Sequence, residues 1–129
     1  MNITKMGKLY IYMTTGETVK SKNLLRKLFP KSKYSKILQE AKMSGIMNAH
    51  VFQTHAAVQK GGKVTHHSVD GDTSGLTVCV ELVDEKIRLQ QFFKTHSKLL
   101  KGNTVIYKEV EYWEYEHKSD TNYLKMYDE

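Results

Sequence analysis

The sequence predicts an α+β fold in which two helices cover one face of a four-stranded antiparallel sheet. Segments with strand and helix periodicity follow one another in the order β-α-β-β-α-β along the 129 residues. Two right-handed β-α-β crossovers interlocked in that order give the ferredoxin-like arrangement. The length suffices for one domain with one core. We therefore expect a single domain over residues 1–129, with a core from about residue 8 to residue 116 and a polar tail over 117–129.

The first strand and the first helix are predicted in the amino-terminal third of the chain. Lys8–Thr14 alternates aliphatic or methionine side chains with tyrosines, which is the period of a strand. Thr15–Lys31 is a connector in which a short amphipathic turn ends at Pro30. In Ser32–Ser44 apolar residues recur at helical spacing, and Gly45 suits the left-handed conformation that follows a last helical turn.

Two strands joined by a long loop are predicted in the middle of the chain. Asn48–Val58 is the first of them, and Leu76–Val83, which has little polarity on either face, is expected at the centre of the sheet. Gln59–Gly75 is a polar, glycine-containing loop. Because loops beyond about 12–15 residues are mostly functional or disordered, this loop is a candidate surface for a ligand or a partner.

The last helix and the last strand complete the predicted sheet. Asp84 is expected to cap a helix that runs to about Lys101 and ends at Gly102. His96 falls on the apolar stripe of this helix. Thr104–Glu116, rich in β-branched and aromatic residues, is the last strand. Since the strands are apolar or aromatic on both sides, the face without helices is not expected to meet water, and self-association is its simplest cover.

The net charge of +6 is concentrated in the first half of the chain. Residues 1–60 carry eleven Lys and Arg but only two acids, Glu17 and Glu40, and the basic excess peaks over residues 20–36. Such a cluster favours anionic partners: nucleotide phosphates, nucleic acid, an acidic protein or a membrane surface. The alternative interpretation is a solvated basic face that binds nothing.

Cysteine content and hydropathy indicate the compartment. The single cysteine, Cys79, lies in a strongly apolar strand and is expected to be a buried, inert thiol in a reducing environment. No apolar run is long enough for a transmembrane helix, and the first residues lack the apolar core of a signal peptide. We therefore expect a cytoplasmic protein without a membrane span.

Several segments resemble those of the PII-like signalling proteins, and the match rests on their order and spacing. They are IYM at the end of the first strand, LQEAKMSGIMNAHVF, LTVCVELVDEKIRLQQFF with its VELVD, and NTVIYKEVEYW. The resemblance covers about Lys8–Tyr115 and is closest to an uncharacterised bacterial branch. It implies a homotrimer in which Gln59–Gly75 is the T-loop. It also implies that small effectors, often adenine nucleotides such as ATP, ADP or AMP, bind in clefts between subunits near the loop base.

Two segments depart from the pattern of the well-studied PII proteins. Gln53-Thr54 stands where family members commonly have a basic residue followed by glycine. Only Lys101-Gly102-Asn103 stands where they have a glycine-rich phosphate-binding stretch. The nucleotide contacts of those proteins are therefore not carried over to this chain.

The candidate effector site takes in the loop and its base. Gly61-Gly62-Lys63 offers backbone N–H groups beside a cation, which suits a phosphate, although the GxxxxGK[ST] pattern is absent. A plain hairpin tip is the alternative for these glycines. We expect a small anionic effector near Gln53, His55, Lys60, Gly61, Gly62, Lys63, Lys101 and Gly102.

Other functions have less support. His66-His67 with Asp70 and Asp72 could ligate zinc or nickel, but adjacent strand residues point apart, so no metal site is expected. We find no nucleophile elbow, HExxH motif or paired carboxylates, so an enzyme is not expected. The alternative function is a nucleic-acid-binding module that uses the basic segment 20–36, although the aromatic RNP pattern is absent. The target of the regulatory protein is an unidentified protein that the loop would contact.

Overall fold

The computed structural model of the chain describes residues 4–19, 32–54, 56–58, 64–66 and 76–114. It contains six strands and three helices in these ranges. They are β1 (Met6–Thr14), α1 (Lys33–Met43), β2 (Asn48–Gln53), β3 (Ala56–Val58), β4 (Val64–His66), β5 (Thr77–Glu85), α2 (Lys86–Thr95), α3 (Ser97–Leu100) and β6 (Thr104–Val110).

Four of the strands form one antiparallel sheet in the order β2-β5-β1-β6. β5 lies between β2 and β1, so the prediction of a central strand after the long loop is confirmed. β2 and β6 form the two edges. This is the predicted ferredoxin-like α+β fold.

The core lies between the sheet and the two longer helices. Along β1 every second residue is buried, and the tyrosines point to the opposite face, as the sequence predicts. α1 contributes Ile37 and Ala41 to the core, and α2 contributes Leu89 and Phe92. These helices therefore cover one face of the sheet, and none of the helices in the described ranges packs on the other face, which is called the open face below.

Glycines end the helical segments where the sequence indicates. Gly45 follows α1 with φ 72° and Gly102 follows α3 with φ 87°. A residue with a side chain is strained in this left-handed region, and glycine is not, which explains both positions.

The second predicted strand is shorter than expected. β2 ends at Gln53, which pairs with Val78, the second residue of β5, so only Thr77 remains on β5 for the chain beyond Gln53. Ala56–Val58 pairs instead with Val64–His66, within the segment predicted to be a plain loop. A short two-stranded ribbon therefore replaces part of the predicted strand and part of the predicted loop.

The prediction that Asp84 caps the second helix is wrong. β5 continues to Glu85, and α2 begins at Lys86. The Asp84 side chain is 1% exposed, and its carboxylate accepts hydrogen bonds from the backbone N–H groups of Met47 at 2.9 Å and Glu85 at 2.7 Å. Arg88 Nε lies 3.6 Å from the same carboxylate. Asp84 therefore joins β5 to the turn before β2.

The second helix is also interrupted, and the last strand is shorter. His96 leaves the helical conformation, with φ −106° and ψ 26°, so α2 ends at Thr95 and a single turn, α3, follows. β6 ends at Val110, which pairs with Met6, the first residue of β1. β1 begins at Met6, so the pairing of the two strands ends there, and residues 115–116 of the predicted strand lie outside the described ranges. None of the described helices is both long and apolar enough to cross a membrane.

Candidate functional site

Four strand ends meet at one end of the sheet. β1 ends there at Thr14 and β2 at Gln53, while β5 begins at Thr77 and β6 at Thr104. The base of the predicted loop lies at this end, which we call the loop end. The predicted effector site is expected at this end of the sheet.

A pair of threonines closes the base of the loop. The backbone N–H of Thr54 donates to the carbonyl oxygen of Thr77 at 3.0 Å. The Thr77 N–H donates to Thr54 Oγ1 at 3.2 Å, and that hydroxyl donates to the Thr77 carbonyl at 3.3 Å. The Thr15 N–H also donates to the carbonyl of Leu76 at 3.0 Å. The chain therefore leaves and re-enters the sheet at positions held by hydrogen bonds.

Glu17 organises the neighbouring turn after β1. Its carboxylate accepts a hydrogen bond from the Thr14 N–H at 2.7 Å and another from the Asn103 side-chain amide at 3.0 Å. Lys33 Nζ lies 3.6 Å from the same carboxylate. Burial by itself would raise the pKa of Glu17, but the Thr14 and Asn103 hydrogen bonds and the Lys33 charge outweigh it and lower the pKa.

Asn103 connects this turn to the last strand. Its amide NH₂ also donates to the Tyr12 carbonyl at 3.2 Å, so two acceptors decide which way the amide faces. Its Oδ1 is buried and has no hydrogen-bond partner among the residues the structure describes. Glu17 is not among the site residues that the sequence predicts. The available signal was that Glu17 is one of only two acids in the basic first half.

Two adjoining clefts open at the loop end. The smaller, of about 140 Å³, lies between the end of β1, the start of β5 and the turn before β6, and its wall includes Glu17, Thr77 and Asn103. The larger, of about 550 Å³, lies beside β6 and has the exposed lysines Lys98 and Lys101 on its wall. Gly102 and Asn103 border both clefts.

The predicted site residues fall into separate groups. Gln53 is exposed at the end of β2, and Lys101 and Gly102 are exposed in the turn before β6. β2 and β6 are opposite edges of the sheet, separated by β5 and β1. With neighbouring strands about 4.8 Å apart, these edges are roughly 14 Å from each other. One chain therefore does not bring Gln53 together with Lys101 and Gly102. The remaining predicted residues, His55, Lys60, Gly61, Gly62 and Lys63, lie outside the described ranges.

The metal and nucleic-acid hypotheses concern segments that are described only in part. No group of three or more His, Cys, Asp or Glu residues able to hold a metal is found within the described ranges. His67, Asp70 and Asp72 and the side chain of His66 lie outside them. Of the basic segment 20–36, only residues 32–36 are described. Within it Lys33 pairs with Glu17 at 3.6 Å and Lys36 pairs with Glu40 at 2.8 Å.

The open face carries both aromatic side chains and charged side chains. Tyr10 and Tyr12 stack with ring centroids 6.5 Å apart. Glu81 lies between Lys8 at 3.7 Å and His50 at 3.8 Å. Burial raises the pKa of the half-buried Cys79 thiol, which keeps it protonated.

Large apolar side chains at both edges of the open face extend this surface. Phe52 on β2 is 55% exposed and Ile106 on β6 is 48% exposed. Phe52 pairs with Cys79, and Ile106 pairs with Tyr10, so both belong to the same face. An apolar surface that spans all four strands is typical of an interaction site.

Comparison with solved structures identifies the fold. CPII from Thiomonas intermedia K12, bound to ADP and bicarbonate, is 8% identical with a TM-score of 0.51; the match covers 82% of this chain and 86% of that one. The divalent ion tolerance protein CutA1 from Ehrlichia chaffeensis is 11% identical with a TM-score of 0.52, over 98% and 96% of the two chains. The B. subtilis GlnK–ATP complex is 17% identical with a TM-score of 0.48, over 82% of each chain.

At these identities the first two structures show a shared fold. Their ligands are properties of those two proteins. No curated protein sequence matches this chain closely enough to count as a relative. A family model, DUF190 (Uncharacterized ACR, COG1993), matches residues 6–112, which is nearly all of the described fold. The chain therefore belongs to the DUF190 family and has the PII-like ferredoxin fold that its sequence predicts.

Proposed function

We propose that this chain is a non-enzymatic, homotrimeric regulatory protein of the PII type. It binds a small anionic effector, with an adenine nucleotide as the first candidate, between subunits at the loop end, and it signals through Gln59–Gly75 to a target protein. One observation carries the proposal. Gln53 and the Lys101-Gly102 turn lie at the same end of the sheet but on opposite edges. An effector that contacts both can do so where the edges of two copies meet.

The charge and hydrogen-bonding capacity of the loop end support an anionic ligand. Lys98 and Lys101 are exposed beside the larger cleft, where they can attract a phosphate or a carboxylate. The unpartnered Oδ1 of Asn103 needs a donor, such as a ligand N–H group. CPII, which shares the fold, is bound to ADP and bicarbonate. A nucleotide combines the anion and the N–H donor in one molecule.

The open face supports self-association. Its stacked tyrosines and its exposed Phe52 and Ile106 resemble the aromatic and apolar centre of a protein–protein interface. Contact between copies through this face would remove that surface from water. It would also bring the edge of one sheet close to the edge of the next, as the proposed site requires.

The threonine pair at the loop base supplies a route from effector to loop. Thr54 and Thr77 hold both ends of the loop against the sheet within reach of the loop-end cleft, which Thr77 lines. A ligand there shifts the loop only if it binds two loop states with different affinity. Ordering of a loop by a bound anion is an established form of switch.

A complementation experiment tests the placement of the site. Gln53→Glu puts a negative charge on the β2 side of the proposed site, and Lys101→Glu puts one on the β6 side. Each variant alone is therefore expected to bind ATP, ADP and AMP at least about fivefold more weakly than the unaltered chain. Lys42→Glu, on the exposed side of α1, is the matched control and is expected to bind normally. Binding is measured by calorimetry, and mass by light scattering.

Assemblies mixed from the two variants distinguish a site between subunits from a site within one chain. If each site takes Gln53 from one subunit and Lys101 from its neighbour, random mixing restores about one site in four. If both residues act within one chain, no site is restored. A protein that runs at the 14.9 kDa of one chain, or nucleotide binding that neither substitution weakens, would overturn the proposal.

A further inference from the structure

A third cavity lies on the helix side of the sheet, between α2 and the edge formed by β1 and β6, and it adjoins the larger loop-end cleft through Phe93 and Val105. Its volume is about 350 Å³, within the usual range for small-molecule sites. Five of its lining residues are apolar or aromatic and three are polar: Leu9, Leu89, Phe93, Val105 and Tyr107, with Lys86, Gln90 and Lys94.

The polar residues form one stripe along α2. Lys86, Gln90 and Lys94 are four residues apart, so they lie above one another on the same side of the helix, and the two lysine Cα atoms are about 12 Å apart. Neither lysine forms an ion pair with any residue in the described ranges. The stripe is therefore a positively charged rim above an apolar floor.

The opposite wall of the cavity is the Tyr107 ring, and the position of the ring depends on two neighbouring residues. Gly7 has no side chain, and a Cβ at that position would lie 2.3 Å from the Tyr107 ring. Lys86 Nζ lies 5.5 Å from the ring centroid, within range of a cation–π contact. The nearby acid, Glu109, pairs with Lys5 at 3.7 Å. No carboxylate in the described ranges therefore pairs with the rim lysines, and they can bind an anion.

We propose that this cavity binds a small amphipathic anion, a carboxylate whose aliphatic or aromatic body fills the space over Leu89 and Val105 and whose charged group pairs with Lys86 or Lys94. Burial of the apolar body stabilises the complex, and pairing of the carboxylate with one of the lysines stabilises it further. A neutral molecule of the same shape has only the first contribution. The cavity borders the larger loop-end cleft, because Phe93 and Val105 line both, but its cations are Lys86 and Lys94 and those of the cleft are Lys98 and Lys101.

Octanoate and octanol are matched probes, since they share a chain and differ in charge. Methyl NMR of the full-length protein locates the binding. Val105 lines the cavity, whereas its neighbour Ile106 belongs to the open face, so these two residues report on opposite sides of the same strand. We expect octanoate to shift the Leu89 and Val105 methyl signals to saturation and leave the Ile106 signals in place.

Substitution of the lysines tests the role of charge. Lys86→Met and Lys94→Met keep a long apolar side chain, and at least one of them is expected to weaken octanoate binding about two- to fivefold while octanol binding is unchanged. Lys42→Met on α1 is the control and is expected to have no effect.

Three results would overturn this proposal: equal affinity for octanoate and octanol, octanoate binding that neither lysine substitution weakens, or methyl shifts at Ile106 or Val105 without shifts at Leu89, which lines this cavity and not the loop-end cleft. None of these results bears on the nucleotide proposal, whose variants and ligands are different. The two proposals therefore fail or succeed separately.

Discussion

The side-chain amide of Asn103 donates a hydrogen bond to the carboxylate of Glu17 at 3.0 Å, across 86 positions of the chain. The same carboxylate accepts from the Thr14 N–H and lies 3.6 Å from Lys33 Nζ. One side chain thus joins the end of β1, the start of α1 and the turn before β6. The shape of the loop end depends on this junction.

Glu17→Gln is expected to destabilise the protein in a pH-dependent way. The substitution keeps the shape but removes the charge that Asn103, Thr14 and Lys33 surround, so the free energy of unfolding at pH 7 should fall by about 1–2 kcal/mol. The pKa of Glu17 is lowered in the folded state, so its contribution is present above the ordinary value of 4.5 and is lost as the pH falls below it.

Urea unfolding at fixed protein concentration, at pH 7 and at two pH values below 4.5, measures this effect. The difference between the variant and the unaltered chain should shrink with falling pH. Glu111→Gln, at an exposed position, is the control. A difference that is the same at every pH would show that the Glu17 charge is not the cause.

Gly7→Ala is expected to destabilise the protein through a direct clash. The added Cβ would lie 2.3 Å from the Tyr107 ring, so the ring or the strand must move, at a cost of about 1–3 kcal/mol. Gly16→Ala is the matched control, because a Cβ there meets nothing within 4 Å. Thermal unfolding of both variants checks the prediction, which equal melting temperatures would refute.

Asp84→Ala is expected to be among the most destabilising single substitutions. It leaves the N–H groups of Met47 and Glu85 without their acceptor at a position that is 1% exposed, and each unpaired buried group costs about 1–3 kcal/mol. Urea unfolding should show the loss. Asp84→Asn, which keeps one carbonyl oxygen, should lose less, and an equal loss in both variants would assign the effect to charge alone.

Phe52→Asp and Ile106→Asp test the open face. If copies meet through this face, a carboxylate at either position must be buried without a partner, and the assembly should dissociate toward the 14.9 kDa chain. Ile87→Asp on α2 is the control, because Ile87 is equally apolar and 60% exposed but does not lie on the sheet. Light scattering gives the mass. An unchanged mass for the two sheet variants would place the interface elsewhere.

Element order and several local features follow from the sequence. The first strand could be predicted from the alternation along Lys8–Thr14, and the central strand from the low polarity of both faces around Val80, because each pattern reflects which side chains can be buried. Gly45 and Gly102 could be predicted because only glycine takes a positive φ without strain. The order of these elements predicts the ferredoxin-like topology. That order, together with the sequence segments that resemble PII-like proteins, predicts the family.

The tertiary structure decided the features that depend on contacts between distant segments. Asp84 has the sequence signature of a helix cap, yet its carboxylate accepts a hydrogen bond from the N–H of Met47, 37 positions away. Glu17 and Asn103 meet only because β1 and β6 are neighbours, and Gln53 and Lys101 are kept apart because β2 and β6 are not. Local periodicity and propensity act over a few residues, whereas the pairing of strands places residues that are far apart in the chain. For this reason the sequence determined the elements and the family, and the folded sheet decided which of their residues share a site.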